Sequence, residues 1–148
     1  MNPLALDATL AVAHHLVVFS LVAVLVAELV LAAGAVDAQR LQQLGRLDGA
    51  YGGLAALVLV AGLSRAVYGA KGWSFYAGNP LFWAKIGVFV VIGLLSIVPT
   101  VRLARWRRSG TLPDATALQA VRAWMQAQAV LIVAIPVLAV LMARGIGH

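Results

Sequence analysis

The chain predicts an all-α fold: an integral membrane four-helix bundle with both termini on the outer, periplasmic side. Three observations carry that expectation. Of 148 residues, 63% are apolar and 11% charged, against roughly 45–50% and about 25% in soluble domains. The mean hydropathy is +0.96. Four apolar runs, about 9–33, 49–69, 80–100 and 116–144, are each long enough to cross roughly 30 Å of hydrocarbon as a helix. Helices are expected because each satisfies its own backbone in lipid. At this length one domain, 1–148, is expected.

The first run ends at Gly34, and the Met1–Asp7 segment before it has no Lys or Arg. It therefore lacks the basic start of a signal peptide and is expected to stay in the mature chain. The second lies between Asp48 and the turn Ala70-Lys71-Gly72, with Gly45-Arg46-Leu-Asp48-Gly49 as a loop and cap signal. Asn79-Pro80, an N-cap followed by proline, opens the third run, which should end near Pro99-Thr100. The fourth follows Gly110 and Pro113, and Pro136 inside it predicts a kink. Its first turns, with Arg122, Trp124 and Gln126, belong at the interface.

The net charge of +6 does not mark a nucleic-acid binder, because the basic residues cap apolar runs and form no soluble face. Seven lie at one end (Arg40, Arg46, Arg102, Arg105, Arg107, Arg108 and Arg122) and four at the other (Arg65, Lys71, Lys85 and Arg144). The excess places the first and third loops in the cytoplasm of a bacterial inner membrane. The second loop carries Trp73, Phe75 and Tyr76, suited to the outer interface. The chain has no cysteine, which excludes disulfides and thiolate chemistry. It has no Gly-rich phosphate loop, so no nucleotide cofactor is expected, and no nucleophile elbow or HExxH.

Ionisable residues within a span need a reason. His14 and His15 lie about two turns into the first run, and Arg65 and Lys85 about one turn from the outer ends of the second and third. Asp7, His14, Leu21 and Glu28 recur every seven residues and share one face. His15 is rotated about 100° from His14. Tyr51, Val58, Gly62, Arg65 and Gly69 form a comparable stripe whose glycines would permit close contact. Lys85, Ile92, Ser96 and Pro99 form a third. Glu28 is expected to pair with Arg102 or Arg122. Gly49, Gly52 and Gly53 suggest helix packing, within the chain or between copies in a homo-oligomer.

Two histidines and two cations at one depth suit haem b or another porphyrin. Imidazole ligates iron, and cations pair with propionates. His14 is the preferred ligand and His15 the alternate; Arg65 and Lys85 would hold propionates, with Tyr68 and Trp83 walling the site. Adjacent histidines cannot clamp one iron, so a second axial ligand would have to be His148 or Met142, or be absent. Metal binding by His14 and His15 alone is disfavoured by their divergence. The alternatives are a carrier or channel subunit for a small anion or proton, using the same cations with Glu28 or His14 as relay, and a structural oligomer built on the glycine faces.

Several motifs resemble those of a bacterial family of small four-helix membrane proteins of unknown function. They are Ala13-His14-His15-Leu16, Ala27-Glu28-Leu29, Gly62-Leu-Ser-Arg65, Tyr68-Gly69, Lys71-Gly72, Phe75-Tyr76, Asn79-Pro80-Leu81-Phe82-Trp83-Ala84-Lys85 and Ser96-Ile-Val-Pro99-Thr100. The chain is also distantly similar to HemJ-type protoporphyrinogen oxidases and CopD-like membrane proteins, in a histidine early in the first span and a basic residue entering the third. That similarity implies haem b at His14 or His15. The aromatic and Pro-Arg-Leu motif that follows the histidine in the HemJ family is missing, so porphyrinogen oxidation is not implied.

Overall fold

A computed structural model describes residues 2–147. They form five helices: α1 (Pro3–Leu31), α2 (Ala38–Tyr68), α3 (Gly72–Ala77), α4 (Pro80–Ser109) and α5 (Ala115–Ala143). No strand occurs among the described residues. All but α3 are long and apolar enough to cross a membrane, so the chain is a multi-pass membrane protein in contact with lipid.

Each long helix begins at a side-chain cap that satisfies an otherwise orphaned amide. Asn2 accepts from Leu4 N, Asp37 from Arg40 N, Asn79 from Leu81 N and Asp114 from Ala117 N, at 2.7–3.0 Å. Gly110 ends α4 with φ +67°, a left-handed turn that a side chain disfavours. The connections 32–37 and 110–114 are short, so α1 and α2 form one antiparallel hairpin and α4 and α5 another. Contact is most extensive within each hairpin. The hairpins meet along a thinner seam, α2 against α4 and α1 against α5, and the backbones of the diagonal pairs stay further apart.

Two expected boundaries are corrected. Asp48 does not cap the second span, because α2 starts a further ten residues upstream, at Ala38. Gly45 lies inside the helix, where Arg107 of α4 passes directly over its α-carbon. Pro99 does not end the third span either; it is buried inside α4, which runs on to Ser109. At 1.5 Å per residue, thirty-residue helices measure roughly 45 Å and outrun the hydrocarbon core. Their polar ends are hydrogen-bonded helix standing in the interface. The expected second loop is also more ordered than a turn, since it contains α3.

The main core joins Leu21 and Leu25 of α1, Leu41, Leu44, Tyr51 and Val58 of α2, Leu103 of α4, and Leu118, Val121 and Met125 of α5. It fills the arginine-rich half of the bundle. A smaller cluster of Ala66, Phe82 and Met142 closes the half that carries the termini. Gly49, Gly52 and Gly53 are exposed and a Cβ on any of them would meet nothing within 4 Å, so they pack no helix within this chain.

Candidate functional site

The site begins with the close pairing of α1 and α2. Asp7 Oδ1 accepts from Ala70 N at 3.2 Å. Seven residues along, the His14 ring lies on the α2 backbone at Gly62, where a Cβ would stand 3.2 Å from its Cε1. Glycine at 62 is what lets a half-buried imidazole into this interface. The ring's Nδ1 is sealed from solvent without a hydrogen bond, near the Val58 carbonyl but short of bonding it. One turn further on α2, Arg65 is half-buried with its Nε sealed and unpartnered. From α4, half-buried Lys85 holds its Nζ 5.6 Å from the Phe82 ring centroid. His14 is within electrostatic range of both cations, and the cations are within range of each other. Three helices thus bring one imidazole and two cations together, and among the described residues no carboxylate is hydrogen-bonded to any of them.

The other candidates lie outside this group. His15 is exposed, with Nδ1 donating to the Ala11 carbonyl at 2.6 Å and the ring beside Phe19. Its plane stands at 78° to that of His14. Tyr68 is 68% exposed. Trp83 is exposed, donates to the Ala77 carbonyl at 2.9 Å and meets Trp73 and Phe82 edge-on. These rings and α3 build an aromatic belt of the interfacial kind, and Lys71 sits 4.3 Å from the Phe75 ring centroid. Of the possible second axial ligands, Met142 is buried against Ala66 and Phe82, and His148 lies outside the described residues. Among the described residues no three His, Asp or Glu side chains could hold a metal ion together. A groove of about 380 Å³ is lined by Ala8, Thr9, Val12, Ala13 and Leu16, on the face of α1 opposite His14.

The profile of the family described as Predicted membrane protein (DUF2214) matches residues 6–147. The chain belongs to this family. No curated protein and no solved structure matches it. The match takes in all four spans and every residue of the outer group.

A second polar group was only partly anticipated, and it corrects the reading of Glu28. Glu28 pairs with neither Arg102 nor Arg122: it is 2% exposed, its Oε1 has no partner, and the charge within its range is Asp48. Asp48 accepts from the Thr100 hydroxyl at 2.8 Å and is within range of Arg107. Arg107 itself donates to Gln42 at 3.2 Å. Arg122 Nε is buried and unpartnered elsewhere on α5. Tyr51 and Gln128 are buried too, with the phenol oxygen and amide oxygen unbonded. In the sequence Asp48 has the look of a helix cap, which hides its place in this group. Gln128, polar in the middle of an apolar run, was the available signal for α5.

Proposed function

We propose that this protein lies in a bacterial inner membrane with both termini outside, and binds an anionic ligand near its outer face. Arg65 and Lys85 would hold the anion, with His14 as the third contact. One observation carries this reading: two half-buried cations and an imidazole nitrogen without a partner converge from three helices, and among the described residues no carboxylate is hydrogen-bonded to them. Buried charge of one sign, gathered inside a membrane bundle, is a functional feature by default.

Haem b or another porphyrin is the ligand that would use all three groups. Its propionates would pair with Arg65 and Lys85, and His14 would supply one axial nitrogen, with His15 the alternate. Bound there, the group would supply electron transfer or oxidoreduction. Tyr68 and Trp83, exposed at this end, would border such a ligand from the lipid side. Among the described residues His14 is the donor that would hold the iron, since the Met142 side chain is taken up in apolar packing.

A small-anion carrier is the second reading, favoured by the position of the grooves. The groove along Ala8–Leu16 and the one of about 270 Å³ at Gln42, Ala104, Arg107 and Arg108 both lie away from His14, and a small anion needs no groove of that size beside the cations. One preparation separates the two. Purified protein titrated with hemin should develop a Soret band that His14→Ala weakens and the double change at His14 and His15 abolishes. A preparation that takes up no hemin overturns the haem reading. Anion flux into liposomes that Arg65→Ala abolishes would establish the carrier instead.

A further inference from the structure

The α1–α2 register carries the inference. Asp7 meets Ala70 and His14 meets Gly62. Two heptads further along both helices, Glu28 stands opposite Asp48. Tyr51 follows one turn from Asp48 on the same buried face of α2, 4% exposed, with its hydroxyl sealed and unpartnered within range of both carboxyl groups. Two acids and a phenol therefore meet in the arginine-rich half, and two of the three polar ends are without a hydrogen bond.

The charged groups around them do not neutralise Glu28. On α2 the neighbour is Asp48, of the same sign. On α4 Arg107 is exposed and acts on Asp48, and half-buried Arg102 makes no ion pair among the described residues. On α5 the one charged side chain, Arg122, has a buried and unpartnered Nε, while Gln128 is neutral. A carboxylate sealed from water opposite a second acid is far more costly than the neutral acid. Protonation removes the charge and gives the acid an O–H, so that a small approach of the two side chains lets it and the Tyr51 hydroxyl bond to each other. A metal ion would need several more oxygens, and the described residues offer no set of three acids or histidines.

We propose that Glu28, Asp48 and Tyr51 form a proton-binding site in the arginine-rich half of the bundle. Glu28 takes up one proton and becomes a neutral acid, and Tyr51 hydrogen-bonds to it. Half-buried Asp48, tied to Thr100 and facing Arg107 at the rim, is the way in and out for that proton. The inference is independent of the ligand reading at the outer end.

Infrared spectroscopy of the full chain in nanodiscs at neutral pH tests it. The native protein should show a carboxylic-acid carbonyl stretch that shifts in D2O, is lost in Glu28→Gln and shifts in Tyr51→Phe. No acid carbonyl in folded native protein, or a band that survives Glu28→Gln, overturns the proposal. Should Glu28→Gln fail to fold, Tyr51→Phe decides: a shifted band upholds the site and an unmoved one overturns it. Exchanging choline for sodium should leave the band in place; its disappearance would assign the site to a cation and overturn the proton.

Discussion

His14 lies against Gly62 so closely that a methyl group there would stand 3.2 Å from the imidazole Cε1. Gly62→Ala should gain about 1 kcal/mol of helix propensity and lose roughly 1–3 kcal/mol to overpacking, a net loss of up to about 2 kcal/mol. Gly53→Ala meets nothing within 4 Å, so it should gain the propensity without the cost. Thermal unfolding in one detergent should therefore move the two variants in opposite directions, Gly62→Ala down and Gly53→Ala up. A Gly62→Ala protein as stable as Gly53→Ala would show that the α1–α2 contact is not made.

Arg65 and Lys85 approach His14 from different helices, so each should contribute separately to anion binding. Hydrogen bonds to charged groups are worth about 1.5–3 kcal/mol, and removing either cation should weaken hemin or small-anion binding roughly 10- to 100-fold. Titration at two salt concentrations checks this, since a charge-held ligand also loosens as salt rises. Equal affinity in native and Arg65→Ala protein would remove Arg65 from the site.

The Thr100 hydroxyl holds Asp48 across the α2–α4 seam at 2.8 Å. Thr100→Val keeps the shape and deletes the donor, leaving a half-buried carboxylate without it. The expected loss is about 1–3 kcal/mol, read as a lowered unfolding temperature. Thr111→Val, near the tip of the α4–α5 loop, should change stability by no more than about 0.5 kcal/mol.

Six arginines on the helix ends that flank 32–37 and 110–114, with Arg122 just beyond them, set the expected orientation. Reporter fusions after the last residue should read outside the cytoplasm, and fusions within 110–114 should read inside. The reverse pattern would turn the His14 group toward the cytoplasm.

Much of this molecule is local and was therefore visible in its residues. The spans follow from unbroken apolar runs, and their starts from Asp or Asn caps, because hydrophobicity and backbone satisfaction act within a few residues. The inward stripe of Asp7, His14, Leu21 and Glu28 follows from helical periodicity alone, and Leu21 and Glu28 are indeed buried. Helix ends were harder to place, since amphipathic turns beyond the hydrocarbon, such as 38–48 and 100–109, look like loops when judged by hydropathy.

Contacts between helices were decided only on packing. His14 and His15 are neighbours in the chain, yet one enters the α1–α2 interface and the other faces outward. The rotation of about 100° between them turns His14 inward, and the glycine that stands opposite, forty-eight residues away in the chain, gives its ring room. Glu28 had two plausible arginine partners by depth and met Asp48 instead. Its neighbour is set by the register in which two helices settle, a property of the surfaces of both that neither stretch of chain carries alone.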